Sequence, residues 1–116
     1  MVYDALIIGG GVAGMSCALV LGSEIKKEYA SNKQIGIIIH QKSSSLERGI
    51  FNNVLGIASG TTGKEILKNG KDQLANSYPH VHQIENEKVI SVEESENGFI
   101  VKTNRNSHLA KIIVIA

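Results

Sequence analysis

A glycine-rich run, GGGVAG at Gly9–Gly14, constrains the fold more strongly than any other feature of this chain. It follows Ala5–Ile8, the apolar end of a short run that is typical of a buried parallel strand. From Val12 to Ile25 the apolar residues recur at helical spacing. Lys26 and Lys27 follow, and basic residues of this kind suit a helix C-terminus. The sequence therefore predicts a strand over Val2–Ile8, a tight turn and then a helix.

The spacing of the glycines matches GxGxxG, and its place between strand and helix predicts a binding site for a dinucleotide pyrophosphate. Gly9 permits the tight turn, Gly11 lets a phosphate approach the backbone, and Gly14 lets the helix pack closely on the strand. Free amides and the positive end of the helix dipole then face the phosphates. The alternative, a turn that only connects two elements, is disfavoured by the three spaced glycines. The predicted pyrophosphate-binding residues are Gly9, Gly10, Gly11, Val12, Ala13 and Gly14.

The second part of this pattern is expected after the next strand, which the sequence predicts over Ile35–Ile39. Dinucleotide-binding folds carry an acid there, and it accepts hydrogen bonds from the adenosine ribose. This chain has His40 and Gln41 instead, whose neutral side chains can donate and accept but lack the charge that strengthens such bonds. We expect both residues at the ribose. The alternative is that His40 is an exposed strand-end residue with no role.

The remainder of the chain reads as one helix followed by sheet. Thr62 and Glu65 match a capping box before a helix over about Gly63–Ser77, and the polar segment 41–53 reads as a loop. An Asn-Gly pair at 97–98 indicates a hairpin, and the last apolar run reads as a central parallel strand buried on both faces. The predicted strands in this part are His80–Ile84, Lys88–Glu93, Phe99–Thr103 and Leu109–Ile115.

Composition argues against several classes of function. Twelve basic and eleven acidic residues leave a formal charge of +1, so we expect neither nucleic acid nor an anionic membrane as a partner. Cys17 is the only cysteine, which excludes a CxxC pair and a multi-cysteine zinc site within this chain and fits a reducing cytosol. His80 and His82 have no clear third ligand, so no metal site is predicted. Glycines interrupt the uncharged stretch 5–22, which argues against a membrane helix.

Over nearly its whole length the chain resembles the FAD-binding domain of the thioredoxin-reductase-like pyridine nucleotide-disulfide oxidoreductases. Gly9–Gly14 is similar to the family's GGGxAG motif. Asn53–Gly56 and Gly60–Leu67 resemble the family's NxxG and GxxGxEL segments before its second helix. Lys88–Val92, the hairpin and Ala110–Ala116 resemble its β-meander and the strand that leads into its ATG motif.

The resemblance implies an α/β, Rossmann-like FAD/NAD(P)-binding domain with a parallel βαβ sheet and a small antiparallel β-meander. It implies FAD as the cofactor, held by the GGGVAG turn, with His40 and Gln41 at the ribose. Asn52 and Asn53 would approach the flavin end, and the backbone at Val89 would border the adenine. NAD(P)H would act as the reductant and bind elsewhere.

Several departures from the family bear on function. The ribose acid and a CxxC are missing, and neither a nicotinamide domain nor a closing FAD segment follows Ala116. We therefore expect a single domain over residues 1–116, incomplete at its C-terminal end, in a cytoplasmic homo-oligomer. An FAD-dependent oxidoreductase is the leading interpretation. Two alternatives stay open: an NAD(P)-binding dehydrogenase domain, which the β-meander disfavours, and a non-catalytic nucleotide-binding or assembly module.

Overall fold

A mixed sheet forms the centre of the structure, a computed structural model that describes residues 1–40 and 45–116. The strands of the described residues are β1 (Val2–Ile8), β2 (Ile35–Ile39), β3 (Ile50–Phe51), β4 (Thr61–Thr62), β5 (His82–Glu85), β6 (Val89–Ser95), β7 (Gly98–Thr103) and β8 (Ser107–Ile115). Among these residues the main sheet has the order β5-β2-β1-β8-β7-β6, with the first four strands parallel and the last two antiparallel. This arrangement confirms the predicted fold class.

The predicted strand-turn-helix-strand unit is confirmed, although its helix is shorter than expected. Helix α1 covers Val12–Ser23, and two short 3₁₀ turns then replace the predicted continuation to Lys27. Gly22 and Ser23 are weak helix formers, and the Ser23 hydroxyl donates a hydrogen bond to the carbonyl of Val20 at 2.7 Å. Local hydrogen bonding of this kind favours the end of a helix, so the lysines do not lie at its C-terminus.

The two faces of the sheet carry separate apolar layers. On one face Ile7 and Ile37 pack against α1 and against Leu74 of the second helix, α2 (Gly63–Ser77). On the other face the β-meander contributes to a second cluster, formed by Tyr3, Leu6, Ile38, Val101 and Ala110. Each fully buried aliphatic side chain contributes about 2 kcal/mol, so these layers hold β1 and β2 firmly in place.

Residues 45–62, which precede α2, contain more regular structure than the sequence suggests. The bounds of α2 are those predicted, and the Thr62 hydroxyl accepts a hydrogen bond from the Glu65 amide at 3.2 Å. The predicted loop over 41–53, however, contains a 3₁₀ turn at Ser45–Arg48 and strand β3, which pairs with β4. This pairing joins residues about ten positions apart, and the local polar composition gave no sign of it.

The C-terminal strands match the prediction with shifted ends. Strand β5 begins at His82 instead of His80, because the Val81 amide closes a turn onto the Tyr78 carbonyl at 3.0 Å. The predicted hairpin joins β6 and β7, and Gly98 takes a φ of +143° that side chains rarely adopt. Strand β6 extends to Ser95, two residues beyond its predicted end, because the ladder continues to the pair Ser95 and Gly98.

Strand β8 is central and parallel to β1 as predicted, but the expected burial on both faces is wrong. Ile112 and Ile115 are 60% and 77% exposed. Helix α1 packs mainly on β1 and β2; its Leu21 borders a cleft together with Ile112 but leaves this isoleucine largely uncovered. Strand β7 pairs with β8 only over Ser107–Ala110, so within the described residues the second half of β8 pairs with β1 alone.

A buried carboxylate ties the β-meander together. Glu87 is 5% exposed and accepts hydrogen bonds from Thr103, Asn106 and His108 at 2.8, 2.6 and 2.8 Å. Burial alone would raise the pKa of the Glu87 carboxyl, but the three hydrogen bonds together outweigh it and leave the pKa below its ordinary value. The connection after β5 is thereby fastened to the β7–β8 turn.

Candidate dinucleotide-binding site

Three of the four glycines in the turn, Gly9, Gly11 and Gly14, have very different surroundings. A side chain on Gly9 would lie 2.5 Å from the carbonyl oxygen of Ala116, and the φ of Gly9 is +123°. A side chain on Gly14 would lie 1.7 Å from the carbonyl oxygen of Gly9. The first carbon of a side chain on Gly11 would meet no atom of the described residues within 4 Å, apart from its own chain neighbours. The fold itself therefore requires glycine at 9 and 14, whereas the space at Gly11 is open to a ligand.

Helix α1 begins at this open space without a protein cap. Gly11 occupies the N-cap position with extended backbone, and its carbonyl accepts the Met15 amide at 2.9 Å. No side chain of residues 1–40 or 45–116 caps the helix, and its first turn contains no acidic residue. The amides of Val12 and Ala13, both exposed residues, begin a helix whose dipole favours negative charge at this end. An anion next to Gly11 fits this environment.

A cavity of about 270 Å³ adjoins the turn at the carboxyl ends of β1, β2 and β5. The backbone of Gly10 and Gly11 forms one wall, and His40 follows β2 on another. Its lining is completed by residues from α1, α2, the Ser45–Arg48 turn and the end of β5: Met15, Ile39, Glu47, Leu67, Lys71, Glu85 and Asn86. The cavity thus combines apolar side chains with several polar and charged groups, as small-molecule sites commonly do.

The structure brings only part of the predicted site together. Gly10, Gly11 and His40 line one cavity, and His40 is exposed there. The predicted ribose partner Gln41 lies outside the described residues. The other described residues of the predicted site are not among those that line this cavity; they are Gly9, Val12, Ala13, Gly14, Asn52, Asn53 and Val89.

The asparagines and the valine lie on neighbouring elements. The Asn52 side-chain carbonyl accepts a hydrogen bond from Ser59 at 2.9 Å, within the exposed loop between β3 and β4. Ile57 of the same loop lines a separate cleft with Val12, which brings this loop to the N-terminus of α1. Val89 starts β6 and packs on the second apolar cluster. Their contacts with a cofactor stay predictions.

Three charged cavity residues were not found by sequence reasoning. Glu47 lies on the 3₁₀ turn, Lys71 on α2 and Glu85 at the end of β5, and the ammonium of Lys71 forms an ion pair with the Glu85 carboxylate. A signal for Glu85 was present, because it directly follows the predicted strand His80–Ile84. The missing information was that this strand is a parallel neighbour of β2.

A glycine-rich turn between a central parallel strand and a helix, with a cavity at the carboxyl ends of the strands, defines a Rossmann-like dinucleotide-binding domain. Comparison with known proteins narrows this class. Ferredoxin–NADP reductase 1 of Lysinibacillus sphaericus is 30% identical over 118 residues, which are 98% of this chain and 32% of that protein. The chain spans about a third of the length of the curated relatives that it matches.

Solved structures of oxidoreductases also resemble this chain over nearly its whole length. An oxidoreductase from Agrobacterium tumefaciens has a TM-score of 0.80 and 26% identity, over 99% of this chain and 36% of that one. The thioredoxin reductase of T. acidophilum has a TM-score of 0.77 and 27% identity, over 97% and 34% of the two chains. The resemblance to thioredoxin-reductase-like oxidoreductases is therefore confirmed in sequence and fold. No family model matches the chain.

Two further observations concern the described residues only. No group of three or more histidine, cysteine or acidic side chains in this part of the chain is arranged to hold a metal ion. None of the helices in the described ranges is long and apolar enough to cross a membrane.

Proposed function

We propose that this chain binds FAD and supplies the cofactor's pyrophosphate anchor in an oxidoreductase similar to thioredoxin reductase. The observation that carries the proposal is the open space at Gly11, beside an uncapped helix N-terminus. A phosphate placed there meets backbone amides and the positive end of the helix dipole, and it displaces no side chain. Gly9 to Gly14 would form this anchor.

The size of the cavity supports a dinucleotide that extends beyond it. Its volume of about 270 Å³ lies near the lower end of ligand pockets, which is roughly 300 Å³. Such a volume suits the adenosine part, with the pyrophosphate at Gly11 and the rest of the molecule passing outward over the helix N-terminus. The loop with Asn52 and Asn53 approaches Val12 from that side through Ile57, which supports a position near the flavin end.

The protein's part in the reaction is binding and orientation. When bound, the flavin would supply the redox chemistry by accepting a hydride from NAD(P)H and passing the electrons on. His40 and Gln41 would contact the ribose, and the Val89 backbone would border the adenine. We place the chain in the cytoplasm, in keeping with its single thiol, and infer a homo-oligomer from the exposed Ile112 and Ile115.

A titration with three ligands tests the proposal. The chain is titrated with FAD, FMN and NADH, and binding is followed by flavin or nicotinamide fluorescence. We expect FAD to bind and FMN to bind at least about a hundredfold more weakly, because FMN lacks the adenosine and the second phosphate. Equal affinity for FAD and FMN would contradict a pyrophosphate anchor. Preference for NADH over FAD would favour the dehydrogenase alternative instead.

A further inference from the structure

The adenosine cavity contains carboxylates, although the position after β2 does not. His40 occupies that position, and its imidazole offers no carboxylate oxygen. Glu47 and Glu85, two of the residues that line the cavity, supply acidic groups from other elements. A ribose bound in this cavity can therefore meet an anionic acceptor that comes from a different part of the fold.

Glu85 lies one strand away from the usual position of the acid. Strand β5 runs parallel to β2, and Glu85 pairs in register with Ile39, the residue directly before His40. The chain turns at once after Glu85, because Asn86 adopts a φ of +60° and the Glu87 amide donates to the Ile39 carbonyl at 3.4 Å. These contacts hold the backbone of Glu85 at the same edge of the sheet as His40.

The side chain of Glu85 is also oriented by a partner. Lys71 of α2 pairs with its Oε1 atom, and no hydrogen bond or ion pair within the described residues involves Oε2. A carboxylate has about four acceptor positions, so Glu85 can accept from ribose hydroxyls while it keeps its lysine. Glu47 lies on a four-residue 3₁₀ turn and forms no ion pair with a described residue, which makes it the less ordered of the two.

The charges in the cavity favour a hydroxyl over a phosphate on the ribose. Glu47 and Glu85 carry two negative charges and Lys71 one positive charge, so the three groups sum to −1. A 2′-phosphate in this place would meet net repulsion, whereas a hydroxyl gains a charge-assisted hydrogen bond. The cavity therefore suits the unphosphorylated adenosine of FAD better than that of NADP.

We infer that Glu85 accepts hydrogen bonds from the ribose hydroxyls of the bound adenosine, and so replaces the acid that is absent after β2. The inference deepens the proposed function and depends on it, because it concerns the same adenosine site. It makes Glu85 a specificity-determining residue located on the strand next to β2.

The test compares ADP with one ligand that lacks the ribose hydroxyls and with one that carries a phosphate at the 2′ position. The parent chain and the variants Glu85→Gln and Glu47→Gln are titrated calorimetrically with ADP, with 2′,3′-dideoxy-ADP and with adenosine 2′,5′-bisphosphate. We expect the parent to prefer ADP over the dideoxy compound by about tenfold or more, and Glu85→Gln to reduce this preference to about twofold. Glu47→Gln serves as the matched control, because it removes the other carboxylate of the cavity and should leave the preference intact.

Each remaining outcome overturns the inference in a recognisable way. If the parent binds ADP but Glu85→Gln keeps the full preference, Glu85 is not the ribose acceptor, while the proposed function stands. The inference also fails, and the proposed function stands, if only Glu47→Gln loses the preference. The same two consequences follow if the parent binds adenosine 2′,5′-bisphosphate more tightly than ADP. If the parent binds neither ADP nor FAD, the proposed function fails and the inference with it. Circular dichroism melts verify that both variants are folded.

Discussion

Replacing Gly11 by valine should weaken cofactor binding while leaving the stability of the fold nearly unchanged. The φ of Gly11 is −79°, which any residue adopts, and the first carbon of a side chain there meets no atom within 4 Å in the part of the chain that the structure describes, beyond its chain neighbours. Replacing glycine by an apolar residue at the N-cap costs roughly 0.5–1.5 kcal/mol, and the stiffer unfolded chain offsets about 0.4–1 kcal/mol of this. We therefore expect the melting temperature of Gly11→Val to stay within about 4 °C of the parent, since 1 kcal/mol corresponds to about that shift.

The same substitution should abolish cofactor binding. The valine methyl groups would occupy the space into which the pyrophosphate fits, and the phosphates would lose at least one or two charge-assisted bonds to backbone amides. At roughly 1.5–3 kcal/mol for each such bond, the loss of one bond weakens binding at least about tenfold, and the loss of two weakens it at least about a hundredfold. A titration with FAD, followed by flavin fluorescence, measures this change.

Gly14→Val is the matched control, because it places the same side chain three residues further along. There the first carbon atom alone would lie 1.7 Å from the carbonyl oxygen of Gly9, so the backbone must move. We expect a destabilisation of about 3 kcal/mol or more, with a melting temperature lower by at least about 12 °C. Parent-like FAD affinity in Gly11→Val would refute the placement of the pyrophosphate. Parent-like stability of Gly14→Val would refute the packing argument.

Three further predictions concern the ribose, acid stability and self-association. His40→Glu, introduced into Glu85→Gln, should restore ADP affinity by about tenfold in calorimetry, because it returns a carboxylate to the strand end; an unchanged affinity would place the ribose elsewhere. The pKa of Glu87 is lowered in the folded state, so its stabilising contribution is present above its unfolded pKa and is lost as the pH falls through the folded pKa. Urea unfolding from about pH 5 to pH 3 should therefore show falling stability in the parent and a weaker dependence in Glu87→Gln; equal slopes would contradict the role of this carboxylate. Light scattering over a concentration series should show self-association, which Ile112→Lys should reduce because it charges the exposed face of β8; a parent that stays monomeric at every concentration would refute this.

Local patterns were sufficient for much of the fold. The apolar run before Gly9 predicts β1 with its observed bounds, and Ile35–Ile39 does the same for β2. Thr62 predicts the start of α2 because a cap and the residue it bonds lie three positions apart. In each case the signal and the structure occupy the same few residues. The glycine spacing likewise indicates the anchor, since turn, helix start and phosphate space arise within six positions.

Tertiary structure decided the features that depend on distant partners. Glu85 reaches the cavity only because β5 pairs with β2, more than forty residues earlier, and Lys71 joins it from another element. The exposure of Ile112 likewise depends on which strands α1 covers. The apolar run of β8 alone cannot predict this packing. Strand pairing and helix packing bring these residues together, although no pattern in the sequence links their positions. The sequence by itself therefore determined the glycine-rich turn and the start of α1, whereas the charges that line the neighbouring cavity were determined by the assembled sheet.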